Sequence, residues 1–132
     1  MNTVKTMATN DAAGAKHYRW KDIPEESMKG TITRKLITSE RMMIAHVFLK
    51  KGDEVPQHAH ENEQITYILS GSLHFWLGDR GEREITIGAG EVLVIPSYLP
   101  HRALAMEDTL DVDVFNPPRQ DWLDGSDAYL RR

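Results

Sequence analysis

The sequence predicts an all-β domain built as an antiparallel sandwich or barrel, and three observations carry that reading. From Gly30 onward, short runs rich in β-branched and aromatic residues recur along the chain. Glycine or proline stands in the breaks between these runs and supplies the positive or fixed φ that a tight turn needs. The runs follow one another about every 8–12 residues with no long amphipathic segment between them, the pattern of antiparallel sheets. The expected strands are 31–38, 42–50, 64–70, 73–77, 83–87, 92–95, 102–106 and 110–115. The second is closed by Lys51-Gly52-Asp53, the third by Ser70-Gly71 and the fourth by Gly78-Asp79-Arg80-Gly81. Gly88-Ala89-Gly90 ends the fifth, and residues 96–100, with proline at both ends, follow the sixth. Helix is expected only in the tail, 120–130, and around 23–28.

Size and composition narrow the function classes. A chain of 132 residues, 40% hydrophobic and 27% charged, suits one domain. It can bury about two-thirds of its unfolded surface without a covalent staple. Cysteine is absent, which excludes disulfides, thiolate zinc sites, iron–sulfur clusters and cysteine nucleophiles. The net charge of −4 gives no basic footprint, so no nucleic-acid partner is expected. No apolar run exceeds four residues, so no membrane partner is expected either. Residues 1–16 are polar, small and without the apolar centre of a secretory leader. They read as a mobile arm, and the protein as cytoplasmic. The expected plan is an arm and lead-in over 1–29, a barrel over 30–119 and a tail over 120–132.

With thiols excluded, any metal site must draw on His, Asp, Glu, Gln or Asn, and six histidines are available. His58 and His60 stand at i and i+2, which point to one face of an extended strand. Two imidazoles so placed can close on one ion at about 2.0–2.2 Å. Gln64 has the same parity at the mouth of the next strand, and His101 follows Pro100 at the start of another. Three neutral nitrogens and an amide oxygen make a site with coordination positions left for substrate or water. His17, His46 and His74 lie outside this pattern and are expected to be structural or exposed.

The same residues resemble the cupin motifs. The first, Gly-x5-His-x-His-x3-Glu-x6-Gly, is met by Gly52, His58, His60 and Gly71, with Gln64 in place of the glutamate. The second, Gly-x5-Pro-x-Gly-x2-His-x3-Asn, is met by Gly90, Pro96 and His101, with Tyr98 for the glycine and Ala105 for the asparagine. The resemblance implies a small single-domain cupin: a jelly-roll barrel, or double-stranded β-helix, with the ion inside and a short C-terminal helix or tail. Gln64 brings a neutral amide oxygen where a glutamate would bring charge and a base. An ion held there keeps its full double charge, which favours Lewis-acid work. The substitution leans against a dioxygenase.

In the last expected strand, Leu110, Val112 and Val114 form one face, and Asp111, Asp113 and Phe115 the other. That second face is either wet, as on an ordinary sandwich strand, or the wall of a cavity. Asn116-Pro117-Pro118-Arg119 follows, where two prolines stiffen the path to an arginine able to grip a carboxylate with its planar fork.

A narrower resemblance joins these pieces. Thr33-Arg34-Lys35-Leu36, His58-Ala-His60-Glu-Asn-Glu-Gln64, Tyr67-Ile-Leu-Ser-Gly71, and Asp113-Val-Phe115-Asn-Pro-Pro-Arg119-Gln-Asp-Trp are similar to the pectin-degradation (KdgF-type) cupins. That family acts on 4,5-unsaturated uronates and helps convert the cyclic sugar to its linear keto form. The resemblance implies His58, His60, Gln64 and His101 as metal ligands, with Asp113, Phe115 and Arg119 lining the active site. The implied metal is a divalent transition ion, with Mn, Fe, Ni, Co and Zn all compatible. The implied activity is a metal-dependent ring opening or isomerisation of an unsaturated uronate or related hydroxy-carbonyl sugar acid, a carboxylate-bearing small molecule. Two other readings share the site: a Mn- or Fe-dependent oxygenase or lyase on a small carbonyl compound, and a non-catalytic sugar-binding cupin. A homodimer is expected, with 1–20 and 122–129 as candidate contacts.

Overall fold

The computed structural model describes residues 9–10 and 14–131. Most of the arm expected over 1–16 therefore lies outside the described residues. In its described part, β1 (Thr9–Asn10) pairs antiparallel with β2 (Lys16–His17). The strands that follow are β3 (Glu26–Ser27), β4 (Thr33–Thr38), β5 (Met43–Leu49), β6 (Glu54–His58), β7 (Glu63–Ser70) and β8 (Ser72–Leu77). They continue with β9 (Arg83–Gly88), β10 (Val92–Ile95), β11 (His101–Ala105) and β12 (Thr109–Asn116), before the short helix α1 (Gln120–Asp124). A six-stranded sheet runs β10-β7-β12-β5-β4-β3, and a four-stranded sheet runs β6-β11-β8-β9. The order is far from sequential because, from β5 to β12, every connection except the β8–β9 hairpin passes from one sheet to the other, as in a jelly roll. Among the described residues no helix is long and apolar enough to cross a membrane.

Period-2 patterning places the core. Along β5, buried and part-buried residues alternate strictly, so Met43, Ala45, Val47 and Leu49 face the opposite sheet. β8 answers with Leu73, Phe75 and Leu77, and Ile68 and Ile95 close the layer from β7 and β10. The alternation continues into polar residues. Gln64 and Thr66 occupy inward positions of β7, and Asp111 and Asp113 those of β12, all buried. β12 lies between β5 and β7, and its acidic face is turned into the barrel and buried.

Three expectations are corrected. The interval 51–63, left without a strand, contains β6. Pro56 within it removes a ladder donor, which is tolerated because β6 is an edge strand of its sheet. The helix expected around 23–28 is replaced by a single 3₁₀ turn, Trp20–Asp22, and by β3 paired to β4. The tail helix stops after five residues at Gly125, whose φ of 79° is a left-handed cap, and a 3₁₀ turn over Ala128–Leu130 follows.

The motif positions now have physical reasons. Gly71, at φ 88°, turns so close to the next hairpin that a Cβ there would collide with the Asp108 carbonyl and with Thr109. Tyr98, standing in the second motif's glycine position, holds φ 66° although it carries a side chain. Its backbone N–H donates to the His60 carbonyl at 2.8 Å, which ties the β10–β11 loop to the loop that carries His60. The hydrogen bond holds the residue in the left-handed region at a cost of about 1 kcal/mol. The Tyr98 side chain is exposed, so nothing is lost in packing by removing it. Tyr98→Gly is expected to raise stability by roughly 0.5–1 kcal/mol, the relief of strain being partly offset by the greater chain entropy of glycine. Urea denaturation of the two proteins checks the sign.

Candidate metal centre

The two sheets bring the separated histidines together. His58 at the end of β6 is the direct cross-strand partner of His101 at the start of β11. His60 lies in the loop between β6 and β7. Ring centroids are 4.2 Å apart for His58 and His101, 5.0 Å for His60 and His101, and 5.5 Å for His58 and His60. One nitrogen of each ring lies within 4.8 Å of the others. That spacing lets a single ion reach all three.

The backbone sets the tautomers. Nδ1 of His58 donates to the Pro56 carbonyl at 2.9 Å, Nδ1 of His101 to that of Leu99 at 2.8 Å, and Nδ1 of His60 to that of Asn62 at 3.0 Å. A carbonyl can only accept, so each Nδ1 carries the hydrogen and each Nε2 keeps its lone pair. Burial pushes the imidazolium forms down, to about 2 for His58 and about 4 for His60, with His101 lowered as well. Neighbouring His101 and Arg119 lower His58 further, and Arg119 and His101 do the same for His60. The rings are therefore neutral donors at neutral pH, the state a metal requires.

Gln64 completes the set. Its amide Nε2 donates to Thr66 Oγ1 at 2.9 Å and to Asp113 Oδ1 at 3.3 Å, while Thr66 Oγ1 donates to the same Asp113 oxygen at 2.8 Å. The Asp113 oxygen needs donors, so the amide must turn its nitrogen toward it. Its Oε1 then faces His60 Nε2 at 3.1 Å. Two acceptors meet there with no proton between them, and His101 Nε2 is buried without a partner among the described residues. Three imidazole nitrogens and an amide oxygen with unused lone pairs turned inward fit a divalent metal ion. The donor types are compatible with Mn, Fe, Co, Ni and Zn and do not by themselves name one.

The residues expected to do chemistry are placed as follows. Asp113 is buried inside the barrel and hydrogen-bonded to Gln64 and Thr66. Burial raises its carboxyl, and it raises that of Asp111 further, with Asp113 beside it as the next cause. Phe115 is fully buried, edge-on to His60 at 5.9 Å and to Trp122 at 5.0 Å. Arg119 is 1% exposed and its Nε and Nη2 donate to Asp121 at 2.9 and 2.8 Å. Nη2 also donates to Tyr129 Oη at 2.7 Å, and Nη1 has no partner among the described residues. The other three histidines lie elsewhere: His46 stacks on Trp20, His74 bonds Thr86 and Glu84, and His17 is exposed on β2.

Three participants escaped the sequence reading. Thr66 orients Gln64. Tyr129 stacks on the His58 ring at 4.0 Å and 17°, and Arg34 lies buried beside Trp122. Thr66 could have been found by parity, since it shares the inward face of β7 with Gln64, as Asp111 shares that of β12 with Asp113. Nothing local marked the tail, 120–132. Trp122 and Leu130 are buried in the core, so 122–129 closes one end of the barrel and does not offer Trp122 as a dimer contact. A cavity of about 50 Å³ remains between tail and metal ligands.

The fold and this centre define a class. The chain belongs to the cupin family, whose Cupin domain model matches residues 45–116. Over 48 residues it is 42% identical to an acireductone dioxygenase of Yarrowia lipolytica, a match covering 35% of this chain and 28% of that enzyme. The chain thus spans well under half of that relative's length. Among solved structures it is similar to KdgF from Halomonas sp., 27% identical with a TM-score of 0.71, covering 77% of this chain and 94% of that one. An RmlC-like cupin from Shewanella frigidimarina shares the fold at 20% identity and a TM-score of 0.75, covering 88% and 98%.

The relay behind Gln64 is open to test. Thr66→Val removes the hydroxyl at nearly constant volume and frees the amide to turn. Metal affinity is expected to fall about ten-fold or more, the usual weight of a group that orients a ligand. Thr66→Ser is expected to restore it, with both read by calorimetric titration of Mn²⁺ or Ni²⁺ into the metal-stripped protein.

Proposed function

We propose that the protein is a metal-dependent enzyme that opens or isomerises an unsaturated uronate or a related hydroxy-carbonyl sugar acid. The observation that carries the reading is Asp113: a buried carboxyl hydrogen-bonded to the amide of a metal ligand, inside the barrel where it can reach substrate. The likeness to KdgF supports it.

A bound metal ion would supply Lewis acidity, polarising the substrate's hydroxyl or carbonyl oxygen. Asp113 takes up and returns the proton that moves when the ring opens, and burial keeps its carboxyl more basic than a surface aspartate. Thr66 and Gln64 hold it in place from one side. Gln64 is uncharged, so proton transfer falls to Asp113 rather than to a ligand at the metal. Arg119 has one free nitrogen for the substrate's carboxylate while Asp121 holds the rest of its fork. Phe115 gives the ring an apolar wall, and the tail keeps bulk water out. A six-carbon acid needs more than the cavity's 50 Å³, so the tail must shift to admit it.

The small cavity and the dioxygenase match favour one second reading, a Mn- or Fe-dependent oxygenase or lyase acting on a small carbonyl compound. The two readings separate in one experiment. Metal-loaded protein is expected to speed loss of the unsaturated-uronate absorbance without consuming O₂. Asp113→Ala is expected to cut that rate at least ~100-fold, the scale of a lost acid–base group. O₂ uptake with small carbonyl substrates, or an unchanged rate in the variant, removes the reading.

We also propose that the protein works as a homodimer. On the outer face of the larger sheet, Val94, Ile65, Val114, Ile44 and Ile37 form one cross-strand row over five strands. Val92, Val94, Ile65, Tyr67 and Leu69 are all exposed there, a contiguous apolar patch of the kind that marks an interface. An exposed apolar face of this kind suits a second copy packed across a two-fold axis. Sedimentation is expected to give a dimer for the natural protein and a monomer for Val94→Lys/Ile65→Lys.

A further inference from the structure

We infer that Arg34 is a second ligand-binding cation, and that Arg34 and Arg119 together form a subsite for a small carboxylate beside the metal ligands. The inference rests on reading the cavity as a substrate site, but not on which reaction occurs there.

Arg34 occupies an inward position of β4, between the buried Ile32 and Leu36, where the alternation calls for an apolar side chain. It is fully buried. Its Nη1 donates to Asp127 at 2.8 Å and its Nε to Glu26 at 3.1 Å, and its guanidinium lies 4.2 Å from the centre of the Trp122 ring. A stack does not satisfy an N–H. Nη2 is left with no partner among the described residues.

Arg119 shows the same pattern from the opposite end of the chain. Two of its nitrogens are occupied, Nη1 is without a partner among the described residues, and the guanidinium sits 4.8 Å from the centre of the same Trp122 ring. Both arginines line the cavity that His58, Gln64, His101 and Asp113 also line. Two buried guanidiniums, each held by carboxylates on its other nitrogens, therefore keep one donor nitrogen apiece without a partner among the described residues, and both side chains line one small cavity. Anchoring the tail explains the Asp127 and Asp121 pairs. It does not explain the two nitrogens left over, because a buried donor without a partner is costly.

A carboxylate matches them. It has two oxygens that accept in-plane N–H bonds and one negative charge. The metal-ligand set itself is neutral, so charge brought by an ion is offset only in part by the acidic pair on β12. An anionic ligand completes the balance. Asp111 Oδ1, also buried without a partner among the described residues and also lining the cavity, would accept from a hydroxyl on the same molecule. The ligand class is a hydroxy acid with its carboxylate on Arg34 and Arg119.

The test uses the full chain, stripped of metal, and glycolate as the smallest such acid. Calorimetry is expected to show that glycolate binds and that glycolamide, equal in size but uncharged, binds at least ten-fold more weakly. Arg34→Lys keeps the charge and loses the spare donor, and is expected to weaken glycolate at least ten-fold. A crystal of the natural protein grown with glycolate is expected to place the carboxylate within hydrogen-bond distance of Arg34 Nη2, and this arm stands if the variant fails to fold. Equal affinity for glycolate and glycolamide, unchanged affinity in Arg34→Lys, tighter binding of inorganic phosphate than of glycolate, or water alone at Arg34 Nη2 would each overturn the proposal. Glycolate bound through Arg34 in a protein inactive on uronates would keep this inference and remove the uronate reading.

Discussion

At the centre of the barrel two acceptors face each other, His60 Nε2 and Gln64 Oε1, 3.1 Å apart and neither with a hydrogen to share. Left alone, such a pair repels. It persists because each partner is held from behind: the imidazole by the Asn62 carbonyl, the amide by Thr66 and Asp113. The same device operates at His58 and His101, whose Nδ1 hydrogens are given to carbonyls two residues back. In each case the chain uses its own backbone to strip one side of the ring of acceptor capacity and leave the other side open. A cation is the natural occupant of a space lined only with lone pairs. Burial keeps the rings neutral, and the alternation of β12 turns Asp113 toward them, so the arrangement rests on the barrel around it.

The second structural commitment is the tail. Arg34 of β4 grips Asp127 and so fastens the chain end to the barrel by a fully buried ion pair, while Arg131–Asp127 and Arg119–Asp121 brace the tail locally. Pairs of this kind gain little net stability, because desolvation consumes most of the Coulomb attraction. Their value is in geometry. They set Trp122 against Phe115 and Tyr129 on the face of His58, and so bring the tail against one end of the barrel. The low dielectric of such a buried site strengthens the charge interactions inside it.

Much of the barrel was legible because strand physics is local. Inward and outward positions alternate with period two, and glycine and proline mark the breaks, so eight core strands could be read from patterning alone. β6 was missed because proline argues against a strand unless the strand lies on an edge, and edge position is a property of the sheet. The tail was misjudged for a related reason. Trp122, Asp127 and Tyr129 look like surface residues in sequence, and only the partners supplied by Arg34, Arg119 and His58 make them interior. Arg34 itself reads as an ordinary charge on a strand until its neighbours are known.

The residues alone determined the ligand chemistry: nitrogen and neutral oxygen without thiolate, three histidines singled out from six by spacing, and an uncharged Gln64 in place of an acid. These follow from side-chain type and from a two-residue period, which need no knowledge of the fold. The tertiary structure alone decided which atoms of those side chains face inward, that the aspartates of β12 are buried, and that the tail belongs to the site. Those outcomes depend on which strands become neighbours and on where a distant carbonyl or carboxylate comes to rest. The contacts of Arg34 with Asp127 and Trp122, and of His58 with Tyr129, exist only once the chain has closed on itself.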